Sequence, residues 1–107
     1  ISPEARYVTA CFLIGGEVCD KDERRAFELL NDEEVLTISP EVKFVLGFLY
    51  YQGAGTMQDF AKAAQYIKEA ADAGDPSAAQ FLGYQNGRMP DYGMPLEELL
   101  KLLWNNQ

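Results

Sequence analysis

The side chains that most often do chemistry are thinly represented in this chain. There is no histidine among the 107 residues, and there are two cysteines, Cys11 and Cys19. A serine, cysteine or tyrosine nucleophile then lacks its commonest general base. Two cysteines without histidine do not complete a four-ligand zinc set. The pair is compatible with one disulfide or with two free thiols. The run Asp20-Lys21-Asp22-Glu23 has the charge of a calcium loop. Arg24 and Arg25, however, stand where such a loop needs a ligand at its fifth position and a glycine at its sixth. Asp22 and Glu23 suit the positive end of a helix instead. Gly53-Ala54-Gly55 is not followed by Lys-Ser or Lys-Thr and reads as a turn, not a phosphate cradle. The adjacent carboxylates Glu33-Glu34 and Glu97-Glu98 do not face each other on a helix and fit a solvated surface. No catalytic residue, metal or cofactor is expected, and the chain reads as a non-enzyme.

Charge narrows the partners. The formal net charge is −8, which repels phosphate backbones and anionic lipid and so disfavours nucleic acid and direct membrane docking. The apolar run Val42–Tyr51 is interrupted by Lys43 and is far shorter than a span of roughly 20 residues. A hydrophobic content of 48% is enough for a core without disulfide staples.

The elements that would position any site come in repeats. Ser2-Pro3-Glu4 returns as Ser39-Pro40-Glu41, an offset of 37 that also carries Val8 onto Val45, Gly16 onto Gly53, Asp22 onto Asp59 and Ala26 onto Ala63. A third copy begins at Asp75-Pro76-Ser77, at offset 36, and brings Leu46-Gly47 onto Leu82-Gly83. Each copy opens with a capping side chain followed by proline, which starts a helix without loss of a hydrogen bond. The first helices are expected to stop near Gly16 and Gly53. Second helices are expected at Glu23–Glu34, Phe60–Ala73 and Pro95–Trp104. In the middle one Phe60, Ala63, Ala64, Ile67, Ala70 and Ala71 form one apolar stripe. In the last one Leu96, Leu99, Leu100 and Leu103 are expected to face inward. The expected architecture is all-α: an α/α superhelix of about three stacked helix-turn-helix repeats of 36–37 residues. It forms one domain over 1–107, with repeats at about 2–38, 39–74 and 75–107 and atypical terminal units.

The middle unit resembles a Sel-one-like repeat, a relative of the tetratricopeptide repeat. The residues that carry this are Leu46-Gly47, Tyr50, Gly53-Ala54-Gly55, Asp59, Lys62-Ala63, Tyr66, Ala70-Ala71 and Gly74-Asp75. Small residues at Ala10, Gly47 and Gly83 are expected to let the two helices of a unit approach. The resemblance implies a scaffold or adaptor that holds another protein or a peptide in a concave groove. It places Tyr7, Phe44, Phe48, Tyr51 and Tyr84 on that groove, with Cys11, Ile14 and Gln80 at equivalent positions. The same side of the helix would serve packing between adjacent first helices, and the sequence leaves both uses open. Cysteine-rich relatives pair cysteines eight apart at the junction between units, whereas Cys11 and Cys19 sit elsewhere in the repeat, so Cys11 is expected to be a small buried apolar residue. The resemblance also leans toward an exported or bacterial periplasmic, soluble protein. Two other readings stay open: a structural repeat segment of a larger protein, which exposed Tyr7, Leu100 or Trp104 would favour, and a small-molecule or catalytic domain, which carboxylates converging near Tyr50 and Tyr66 would favour. The partner and the oligomeric state are not legible.

Overall fold

The computed structural model describes residues 2–15 and 22–107. The described residues form seven helices in the order α1 (Pro3–Gly15), α2 (Glu23–Leu30), α3 (Glu33–Leu36), α4 (Pro40–Gln52), α5 (Phe60–Asp72), α6 (Pro76–Leu82) and α7 (Leu96–Asn105). They contain no strand beyond one antiparallel bridge between Gln85 and Arg88. None of these helices is long and apolar enough to cross a membrane. The expected helix stop at Gly16, the residues Asp20-Lys21, and Cys19 with its pairing to Cys11 lie outside the described residues.

The caps work as side-chain chemistry requires except at α4 and at α7, whose cap residue is Pro95. Asp22, Asp59 and Asp75 each accept the backbone N–H three residues on, at 3.0, 3.0 and 2.8 Å. Ser2 does the same for Ala5 at 3.2 Å. Ser39 holds the extended cap backbone ahead of Pro40, but its hydroxyl makes no cap bond. At the other end of α4, Gly53 takes the left-handed conformation, φ +69°, which frees the chain to turn at little steric cost.

α4 and α5 form the tightest hairpin, and Gly47 is the reason. A Cβ there would sit 2.7 Å from Ile67 Cγ1 and 3.1 Å from Tyr66 Cβ. The inward stripe of α5 is buried as its spacing requires: Ala63, Ile67 and Ala70 are fully covered. They meet Val42 and Leu46 of α4, which are equally covered. α2 and α3 pack on α4 from one side, and α5 carries α6 and α7 on the other.

Three local expectations are corrected. The second helix of the first unit is broken into α2 and α3, because Asn31 leaves helical geometry (ψ 63°) and Asp32 starts a new turn by capping Glu34 N at 2.9 Å. Arg6 of α1 then clamps Asp32 at 3.1 Å and Glu34 at 3.3 Å. Gly83 does not mediate helix approach. It terminates α6 in the left-handed region, φ +76°, and the Tyr92 hydroxyl occupies the space a Cβ would need. In α7 the inward line is Leu96, Leu100 and Trp104, at i, i+4 and i+8, while Leu103 points out and is 40% exposed. α7 meets α5, and the Trp104 ring reaches the end of α4.

Candidate functional site

A cleft of about 530 Å³ opens between α1 and α4. Its walls are Ile14 from α1, Phe44, Val45, Phe48 and Leu49 from α4, and the turn Gly53-Ala54, with Glu23 at one end. The cleft opens because α1 and α4 are held mainly by α2 and α3 and meet each other directly only toward Tyr7 and Glu41. Its volume lies within the range of ordinary ligand sites, and apolar side chains dominate its lining.

The expected groove residues divide into four groups. Phe44 and Phe48 both line the cleft and remain half-buried. Their rings lie 5.9 Å apart, and each meets the edge of Phe81, at 6.2 and 5.7 Å. Tyr51 is 3% exposed and belongs to the core. It sits among Phe48, Phe60, Phe81 and Trp104, with centroids 5.5–5.9 Å away. Tyr7 is half-buried further up α1, beside Cys11 and Glu41. Burial pushes its phenol well above the ordinary range, and Cys11 and Glu41 push the same way.

Tyr84 is not brought to this group. Its hydroxyl donates to Asp72 Oδ1 at 2.6 Å and accepts from Lys68 Nζ at 3.3 Å, in the last turns of α5. Lys68 also binds Asp72 directly at 2.9 Å. The Tyr84 hydrogen bond and then the ammonium hold the Asp72 carboxyl below its usual range, and Asp72 chiefly raises Lys68. Burial chiefly raises Tyr84. Such a set is a surface tie between α5 and the end of α6. Its charges are already satisfied by one another.

Phe81 is the ring that sequence reasoning missed. Offset 36 aligns Phe44 with Gln80 and so points one residue too early. The same offset aligns Phe81 with Val45, and offset 37 aligns Val45 with Val8. That series faces the preceding unit, and its alternation with the Phe44 series was the available signal. The Phe44 series faces the following unit, so Phe44, Phe48 and Tyr51 serve packing between first helices, and Phe44 and Phe48 also form the cleft wall.

Among the described residues the cleft lining holds one titratable side chain, Glu23. Cys11 is exposed, contrary to the expectation of burial, because its side of α1 looks toward Glu41 and solvent and not toward α2. Partial desolvation raises its thiol, the neighbouring Tyr7 offsets part of this, and Glu41 adds to it. That is the reverse of an activated thiolate. Tyr50 and Tyr66 stack at 6.0 Å with planes 6° apart. Burial raises the Tyr50 phenol, with smaller contributions from Tyr66 and Asp59. Among the described residues no group of three or more Cys, Asp or Glu side chains is placed to hold a metal ion.

A family model for the Sel1 repeat matches residues 3–31 and 40–75, more than half of the chain. No curated protein and no solved structure matches the chain.

Proposed function

The chain belongs to the Sel1 repeat family, and on that premise we propose that it is an interaction module that seats an apolar segment of a partner protein or peptide in the cleft between α1 and α4. Repeats of this family are commonly protein–protein interaction modules, and as a family they are generally not catalytic. The observation that carries the reading is the cleft itself: about 530 Å³, walled by Ile14, Phe44, Val45 and Phe48. Half-buried aromatic rings on a preformed frame are the usual source of binding energy at such surfaces. In this reading Phe44 and Phe48 supply the contact, Tyr7 extends it along α1, and Tyr51 supports the Phe48 ring from beneath. Tyr84 contributes through α5 and the frame.

The test is selection of peptides from a displayed random library on the intact chain, followed by titration of a selected peptide with amide shifts as the readout. Shifts centred on residues 44–54 and on Ile14 are expected. Phe44→Ala/Phe48→Ala should weaken binding by at least about tenfold. Phe81→Ala loosens the same ring stack without lining the cleft and serves as the folding control. Equal loss of binding in both variants, or shifts clustered elsewhere, would reject the cleft as the site.

A further inference from the structure

Ala5, Val8 and Phe12 form one apolar line on α1, at i, i+3 and i+7, and all three are exposed, Val8 to 49% and Phe12 to 43%. Offset 37 carries them onto Val42, Val45 and Leu49 of α4. There the same line is closed: Val42 is 0% exposed, Val45 is half-buried and Leu49 is 2% exposed. On the side away from α5, α4 packs on the preceding unit through α2 and α3, with Val45 and Leu49 also facing Ile14 across the cleft. Offset 36 then carries Val42 and Val45 onto Ala78 and Phe81. Ala78 is 0% exposed, and Phe81 lies against Phe44, Phe48 and Tyr51 of the unit before it. One register position therefore meets a preceding unit in the second and third copies and meets solvent in the first.

We propose that the outer face of α1 is a stacking seat for one further helical unit of this same repeat, packed on Ala5, Val8 and Phe12 as the first unit packs on Val42, Val45 and Leu49. This goes beyond the cleft reading and does not depend on it. The chemistry of the occupant follows from the interface already in the molecule. It presents a second helix with apolar positions such as those of Phe27, Leu30 and Val35, and a first helix with positions such as those of Tyr7 and Ile14. A second copy of the whole chain fits less well. Its last first-helix, α6, offers Gln80 and the engaged Tyr84 at the positions that face forward. Two α1 faces set against each other would lack the second helix that closes α4.

The test fuses a duplicate of residues 2–38 directly ahead of Ser2, which continues the offset of 37, and compares thermal melts. The fusion is expected to melt about 5 °C or more above the unfused chain, since each stacked interface adds to a repeat protein's stability. Val8→Lys/Phe12→Lys in the original copy should erase that gain. In the unfused chain the same pair should shift Tm by no more than about 2 °C, because both side chains face water there. A fusion that melts with the unfused chain, or a gain that survives both lysines, overturns the proposal. Self-association of the unfused chain that both lysines abolish, read by sedimentation, would also overturn it, by giving the face to a second copy.

Discussion

Tyr51 and Trp104 meet edge to face, with ring centroids 5.5 Å apart and planes at 85°. They are 53 residues apart in sequence, and the contact fastens the C-terminal turn of α7 to the end of α4, with Gln107 Nε2 donating to the Tyr51 hydroxyl at 3.3 Å. Trp104→Ala should therefore destabilise the whole chain by about 2–3 kcal/mol in urea unfolding, somewhat less than a fully buried tryptophan. Trp104 is the one tryptophan, so its emission in the wild-type chain should follow the same single transition as the helical signal. Loss of the α7 signal alone, ahead of the rest, would contradict the coupling.

Gly47→Ala should destabilise despite alanine's better helix propensity. The propensity gain is about 1 kcal/mol, whereas the new methyl would stand 2.7 Å from Ile67 Cγ1 and 3.2 Å from Ile67 N. Overpacking of this kind costs about 1–3 kcal/mol, so a net loss of about 1 kcal/mol is expected. Ile67→Ala removes the first of those atoms. A double-mutant cycle should show the two substitutions costing less together than the sum of each alone.

The caps should rank by what their side chains do. Asp75 is 7% exposed and its carboxylate accepts Ala78 N at 2.8 Å. Asp75→Ala should cost about 1–2 kcal/mol, and Asp75→Asn should restore most of it. Ser39→Ala should stay within about 0.5 kcal/mol, since the Ser39 hydroxyl makes no cap bond. Denaturant midpoints of the three variants decide the ranking.

Stability should fall on the alkaline side. Burial raises the phenols of Tyr7, Tyr50 and Tyr84, and Asp72 raises Lys68. In the unfolded chain tyrosine releases its proton near pH 10. Above that pH the native state holds more protons than the unfolded one, so the stability these groups contribute is intact below about pH 10 and declines as pH rises past it. Urea midpoints between pH 8 and 11 should show that decline, and the 295 nm titration should show a class of tyrosines that ionise only as the chain unfolds. Six tyrosines titrating together near pH 10 would contradict it.

How much of this was legible in sequence depends on the length scale of the cause. Ser2-Pro3, Ser39-Pro40 and Asp75-Pro76 marked all three first helices, because capping and proline geometry are local. The α5 stripe marked its buried face, because helical period is local too. The break at Asn31-Asp32 was missed because its clamp, Arg6, lies on another helix. Leu103 was placed inward because a leucine stripe is ambiguous by one position, and the Tyr51 ring, which lies elsewhere in the chain, selected Trp104 for that side. The cleft residues Phe44 and Phe48 were legible as a face, but whether that face meets solvent or the next unit was decided by Phe81. A one-residue change of repeat offset had hidden that ring.

Asp75 is also a mechanical part. Its N–H closes α5 on Ala70 O at 2.9 Å, and its side chain and carbonyl open α6 on Ala78 N and Ala79 N. The joint between those helices is three residues, 73–75, with no slack. The joint at 37–39 has the same length but no side-chain cap at Ser39. Of the two joints the one between α3 and α4 is therefore the less firmly tied, and α5 and α6 are expected to move together. The helix that starts at this looser joint, α4, is the one that carries Phe44 and Phe48 on the cleft wall.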